Sequence, residues 1–280
     1  MLKVIATAAL IFTAGVAQAQ DRWMSIPQPA AMPAATQSGT APVNGIEMYY
    51  ATYGSDDGTP ILMIHGGLAH ADIWSAQIAD LMKDHTVIVA DTRGHGRSSN
   101  DGSAYSYGLL AADYMALMDH LGVDKVHLVG WSDGANIGYS ISQTNPERLA
   151  SHFAHAGNVT LDGIDPSVET NEVFGGYVGM MAADFAKMSP TPDGFDNFLK
   201  GVSTMWATEK PGGADALKSV SVPTLVVQSE FDEAILMDHS KMIAELIPSA
   251  DLLVLEDTSH FASFQAPGEY TAAIRAFIDR

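Results

Sequence analysis

"HLVGWSDGANIGYS", His127–Ser140, opens as an apolar run and closes on a helical pattern, with Gly130-Trp131-Ser132-Asp133-Gly134 at the join. Gly-x-Ser-x-Gly is a weak signal by itself. A buried strand directly before it and a helix directly after it make it a nucleophile elbow, a sharp turn that exposes the serine hydroxyl. The glycines let neighbouring backbone approach where a Cβ would clash. The helix N-terminus beneath the turn favours negative charge. Ser132 is therefore the candidate nucleophile, and it needs a base and an oxyanion site to act.

The same design recurs on both sides. "PILMIHGG", "HTVIVADTRGHG", "PTLVVQSEFD" and "DLLVLEDTSH" are short apolar runs followed by polar loops, the pattern of strands buried on both faces of a parallel sheet. "IEMYYATYG" alternates and reads as an exposed strand. "YGLLAADYMALMDHLGV" repeats its apolar positions at helical spacing and stops near Gly122. Strand–helix alternation predicts an α/β fold with a doubly wound, mostly parallel sheet, whose chemistry gathers beyond the carboxyl ends of the strands. The core is expected over residues 44–157 and 216–280. Residues 158–215 lack a buried strand, and "VFGGYVGMMAADFAKM" and "GFDNFLKGVSTMWATEK" look amphipathic. They predict a small helical cap inserted over the strand ends, since an unstructured loop of that length is uncommon.

The first residues, "MLKVIATAALIFTAGVAQAQ", have a basic start, an apolar run and Ala17-Gln18-Ala19. This layout predicts a signal peptide over residues 1–19 and a periplasmic or secreted protein. Residues 20–43, rich in Pro, Ala and Ser, read as an extended N-terminal arm. The 280 residues include no cysteine, which excludes a Cys nucleophile or a Cys-based metal site. The formal net charge is −19, so nucleic acid and anionic membranes would repel the chain. A small-molecule substrate, no membrane after leader cleavage, and a monomer or homodimer are the expected associations. No cofactor and no metal are expected: "DTRGHGRSS" lacks a phosphate-loop lysine, and His65 has no ligand partner at metal spacing. Asp91, Arg93, Gly94 and Gly96 instead fix a turn beside the site.

The remaining chemistry falls after the strands. His260 ends the last apolar run and is the candidate base. The acid belongs after the preceding strand, where Glu230, Asp232 and Glu233 stand; Asp232 is best placed to turn back towards the histidine, with Glu230 second. That completes a Ser…Asp…His order, with the acid holding the imidazole tautomer. The oxyanion donors are expected to be the N–H of Asp133 and one from "HGGLAH", Gly67 first and Leu68 as the alternative, with His65 and Gly66 shaping the loop. Leu68, Trp131, His155, Met180, Met181 and Trp206 are candidate substrate-lining residues. Each has packing as the simpler explanation.

Taken as a set, "HGG", "DTRGHGRSS", "GWSDG", "SEFD" and "SHF" resemble the α/β-hydrolase superfamily from about residue 44 to the C-terminus. The resemblance implies a serine hydrolase with Ser132, Asp232 and His260 as triad. "VGWSDGANIG" is similar to the bacterial esterase and lactonase branch and to the valacyclovir-hydrolase type. In that type the aspartate matching Asp133 is implied to receive a substrate ammonium; the alternative is that its carboxylate caps the following helix. Ser229 stands where the family usually has glycine before the acid. Ser132 stands where haloalkane dehalogenases and epoxide hydrolases carry aspartate, which disfavours their chemistries. The expected reaction is cleavage of a small carboxylic ester or lactone through an acyl-enzyme. Amide, C–C bond or perhydrolase chemistry on the same triad is the alternative, and a non-catalytic ligand receptor on the same fold lies outside enzymes.

Overall fold

The computed structural model describes residues 21–55, 58–211 and 213–280. The expected signal peptide, residues 1–19, lies outside the described residues. Strands β1 (Gln37–Val43), β2 (Ile46–Tyr53) and β3 (Ile61–Ile64) come first, followed by helix α1 (Ser75–Leu81) and β4 (Val87–Ala90). Then α2 (Tyr107–Leu121), β5 (Val126–Trp131), α3 (Asp133–Thr144) and β6 (Leu149–His155) follow. Helices α4 (Glu172–Met188), α5 (Phe195–Thr208) and α6 (Gly213–Leu217) lie between β6 and β7 (Thr224–Ser229). The chain ends with α7 (Met237–Leu246), β8 (Ala250–Leu255), α8 (Ala262–Gln265) and α9 (Pro267–Ile278).

The strands form one eight-stranded sheet in the order β1-β2-β4-β3-β5-β6-β7-β8. β2 is antiparallel to β1 and to β4, and every other pair is parallel. From β3 the chain steps outward to β4 and then returns past β3 to β5. The strand order therefore reverses at β3–β5, where the loops after the two strands diverge and leave a crevice. The Gly66–Gly67 loop follows β3 and Ser132 follows β5, so the reversal places the two at one spot.

Local sequence accounts for the elements that frame this spot. β3, β4 and β7 are buried at every position, as their unbroken apolar runs require with helices on both faces. α2 begins where the Ser106 hydroxyl accepts a hydrogen bond from the Leu109 N–H. It ends at Gly122, whose φ of 68° is the left-handed cap that glycine adopts without strain. α4 starts under Asn171, whose Oδ1 accepts from the Val173 and Phe174 N–H groups.

Two expectations are corrected. The arm expected over 20–43 ends at residue 36, because Gln37–Val43 pairs along β2 as an edge strand. Its backbone hydrogen bonds, and the burial of Ala41 and Val43 on one face, outweigh a composition that reads as linker. β8, expected to be buried on both faces, is the other edge: Leu252 is 38% and Val254 37% exposed. Only the side carrying Leu253 and Leu255 turns inward. The apolar run alone did not distinguish a two-sided strand from a one-sided edge. Among the described residues no helix is long and apolar enough to cross a membrane.

Candidate active site

Ser132 sits between the last residue of β5 and the first of α3, at φ 54° and ψ −118°. A non-glycine residue holds such a conformation only when its surroundings impose it. The flanking glycines show how. A Cβ on Gly130 would lie 2.4 Å from the Gly134 carbonyl oxygen, and one on Gly134 would lie 2.1 Å from that of Ile64. Only glycine at both positions lets strand, turn and helix close around the serine.

His260 follows β8 and is almost wholly buried. Its Nδ1 lies 2.9 Å from Asp232 Oδ1, so the acid loop after β7 reaches the histidine through Asp232. Glu230 points elsewhere, accepting from the Asp257 N–H. Glu233 accepts from the backbone N–H of His260 at 3.0 Å, and Trp131 Nε1 donates to the His260 carbonyl at 2.8 Å. The imidazole is thus held at ring and backbone alike. Burial alone would lower the His260 pKa, but the Asp232 carboxylate and its hydrogen bond outweigh it and hold the pKa above its ordinary value. Burial conversely pushes Asp232 up, yet the charge and hydrogen bond of His260, with the Ile235 N–H, keep its carboxyl below the usual range.

The loop after β3 lies against the serine turn. A Cβ on Gly66 would meet Ser132 Cβ at 3.1 Å, and one on Gly67 would meet Asp133 Oδ2 at 2.5 Å. His65 shapes this loop: Nε2 accepts from the Thr92 N–H at 3.0 Å, so Nδ1 carries the proton and donates to the Gly66 carbonyl at 2.8 Å. Burial pushes its pKa down to about 3, so it stays neutral. Tyr177 of α4 donates to the Gly67 carbonyl at 2.7 Å. The structure therefore brings the Gly66–Gly67 loop against Ser132 and Asp133. Beside them Asp91 accepts from the Ala71 and Arg97 N–H groups, and buried Arg93 pairs with buried Asp113 at 2.8 Å. The "DTRGHGRSS" loop is a polar brace.

Ser132 and His260 share a cavity of about 310 Å³ with Asp133, Asn158, Ile164, Val168, Glu169, Phe174, Ser203, Trp206, Ala207, Ala234 and Ile235. Trp206 was among the six lining candidates. The other five lie outside the wall. Trp131 is buried beneath His260. His155 is fully buried in β6, between Ser229 Oγ at 3.1 Å and the Tyr270 hydroxyl at 3.2 Å. Met181 is a core residue, and Leu68 is buried in the loop after β3. Met180 faces the arm, where Gln28 Nε2 meets its sulfur at 3.4 Å.

The Asp133 carboxylate is also corrected. Among the described residues it caps no helix N–H. Oδ1 accepts from the Tyr107 hydroxyl at 2.8 Å, and both oxygens accept from Trp206 Nε1, at 3.0 and 2.8 Å. It ties α2 of the core to α5 of the cap. Burial raises its pKa, and the Trp206 and Tyr107 hydrogen bonds hold it back. Tyr107, Asn136 and Asn158 carry no mark in the sequence motifs, and Glu233, offered with the acid loop, holds the His260 backbone and not its ring. Asn158 had one available signal, its place just past the end of a buried strand. Among the described residues no group of His, Asp and Glu side chains could hold a metal ion.

The model of a family with the α/β-hydrolase fold matches residues 59–196. The chain belongs to the α/β-hydrolase superfamily. It is 26% identical over 272 residues to the 3-oxoadipate enol-lactonase 2 of Acinetobacter baylyi, covering 89% of this chain and 99% of that one. It is also 26% identical over 246 residues to a protein of Pseudomonas savastanoi named as a carbamate hydrolase, covering 79% and 94%. Among solved structures, Est816, described as an N-acyl homoserine lactone degrading enzyme, superposes with a TM-score of 0.70 at 27% identity over 84% of this chain and 98% of that chain. This α/β hydrolase is thus similar over most of its length to hydrolases of small carbonyl compounds.

Proposed function

We propose that the protein is an exported serine hydrolase that cleaves small, uncharged carboxylic esters or lactones through an acyl-enzyme. The observation that carries this reading is the meeting, in one cavity, of a serine on a strained turn with a buried histidine held by an aspartate. Ser132 attacks the carbonyl carbon while His260 takes the hydroxyl proton as general base. Asp232 keeps the proton of the neutral imidazole on Nδ1 and stabilises the imidazolium that forms. The N–H groups of Asp133 and Gly67 receive the oxyanion. His260 then returns the proton to the departing alkoxide. In the second half of the cycle it activates water to release the acid.

The substrate class follows from the wall. It carries the carboxylates of Asp133 and Glu169 and no lysine or arginine among the described residues. A substrate carboxylate would meet repulsion with no counter-ion. Hydrogen bonds from Tyr107 and Trp206 already engage both Asp133 oxygens, so the carboxylate acts on the pocket first through Trp206 and keeps only part of its accepting capacity for a substrate. The cavity volume suits a compact acyl group. Lactones enter the candidate class with support from the relatives named for enol-lactone and N-acyl homoserine lactone cleavage. Export rests on the leader pattern of residues 1–19.

A panel of p-nitrophenyl esters and simple lactones, assayed with wild type and Ser132→Ala, tests the reading. Wild type should turn over short neutral members with burst kinetics, and Ser132→Ala should lose at least about a thousandfold in kcat. Full activity in Ser132→Ala would overturn the proposal.

A further inference from the structure

The polar groups behind Ser132 form one connected chain that ends on a weakly engaged donor. Trp206 Nε1 and the Tyr107 hydroxyl donate to Asp133. With its proton spent there, the Tyr107 oxygen accepts from Asn136 Nδ2 at 3.0 Å. Asn136 also bonds twice to Asn158, its Oδ1 accepting from the Asn158 backbone N–H at 2.7 Å and its Nδ2 donating to Asn158 Oδ1 at 2.9 Å.

This pairing fixes both amides. A backbone N–H can only donate, so the Asn136 atom it meets must be Oδ1. The other Asn136 atom is then the NH₂ group, and the Asn158 atom it meets must be an oxygen. That leaves the Asn158 NH₂ as the group turned away from the network. Its only protein acceptor among the described residues is the Thr160 carbonyl, at 3.4 Å and so weakly held. Asn158 is nearly buried and forms part of the cavity wall with Ser132 and His260. A buried amide hydrogen without a good acceptor costs stability unless something in the cavity accepts it.

We infer that Asn158 Nδ2 is a substrate-recognising donor, which selects neutral esters or lactones carrying a second acceptor oxygen, a carbonyl or an ether, besides the scissile carbonyl. This rests on the hydrolase reading for the position of the reacting carbonyl. The network behind Asn158 makes the donor rigid. The NH₂ cannot flip to present its oxygen without breaking the bond to Asn136. Acceptors are therefore favoured, whereas a substrate hydroxyl must approach as an acceptor and a substrate ammonium finds no partner there.

Matched p-nitrophenyl esters test this: butyrate against methoxyacetate, and pentanoate against levulinate. In each pair the second member adds an acceptor oxygen at nearly constant size. Asn158→Leu removes the donor. Asn158→Asp, assayed at mildly alkaline pH so that the new carboxylate is ionised, keeps the acceptor for Asn136 and replaces the NH₂ by oxygen. Both variants should lose about tenfold more kcat/KM on the better-placed oxygenated ester than on its hydrocarbon partner, the effect of one neutral hydrogen bond. Equal losses on both members of both pairs, or no loss, would overturn the assignment. Calorimetric binding of the same esters to Ser132→Ala, with and without Asn158→Leu, separates this from the hydrolase reading. A binding preference for the oxygenated esters that Asn158→Leu abolishes, with wild type inactive on every ester, keeps the donor and sinks the hydrolase. A preference untouched by Asn158→Leu, with wild type active, sinks the donor and keeps the hydrolase.

Discussion

The two walls of the cavity are built differently. The core wall presents Ser132 and His260, with Asp232 behind the histidine, from turns and loops that follow parallel strands, where the sheet fixes the backbone upstream. The cap wall presents Val168, Glu169, Phe174, Ser203 and Trp206 from helices and short turns laid on top. Polar ties hold that layer at a few points, among them Trp206 to Asp133 and Tyr177 to the Gly67 carbonyl. The difference assigns labour. Damage to the core wall should remove chemistry, and damage to the cap wall should change which substrates are bound and how well.

The largest predicted effect is on the core side. Asp232→Asn should lower kcat about a thousandfold or more with little change in KM, because the imidazole loses its tautomer lock. Glu230→Gln should stay within about twofold, since among the described residues the Glu230 side chain bonds only the Asp257 N–H. Comparable losses in both would break the assignment of the acid. Next comes the seam between the walls. An alanine methyl at Gly67 would stand 2.4 Å from the Trp206 ring and 2.5 Å from Asp133 Oδ2. Gly67→Ala should therefore displace the oxyanion loop and cost about a hundredfold in kcat/KM, read by steady-state kinetics with a melting curve to confirm folding.

A smaller effect is predicted on the cap side. Trp206→Phe keeps most of the ring but removes the donor to both Asp133 oxygens. KM should rise about tenfold while kcat changes by less than about threefold. A loss confined to kcat would show that the cap takes part in the chemistry and would blur the division. The smallest change is a shift in pH dependence. His260 must be neutral to act as base, and Asp232 holds its pKa above the ordinary 6.5. Activity should rise with pH through a midpoint above that value. In Asp232→Asn the supporting charge is gone and burial, which lowers a histidine pKa, dominates. The His260 midpoint followed by NMR should then move down; an unmoved midpoint would contradict the pairing.

The same division explains what the sequence made legible. Ser132 could be read because its glycines, its strand and its helix are local features. His260 and Asp232 could be read because each follows an apolar run that has to be a strand. The cap wall could not, because which face of an amphipathic helix looks into a cavity is set by long-range packing. α4 buries Tyr177, Met181 and Phe185 and turns Met180 to the arm, a choice its sequence leaves open. His155 misled because a polar residue at a strand end can point down into the sheet as well as out of it. β1 was hidden by Gly39, Ala41 and Pro42, weak strand signals that an edge position tolerates. The job of the Asp133 side chain depended on Tyr107 and Trp206, each distant in sequence.

The central claim is that Ser132 is the nucleophile, and covalent capture tests it most directly. The protein should be treated with a fluorophosphonate, digested and mapped by mass spectrometry. The account predicts a single stoichiometric adduct on the peptide holding Ser132, complete loss of esterase activity, and no labelling of Ser132→Ala. Labelling at another residue, or ester hydrolysis that persists after Ser132 is fully modified, would contradict it.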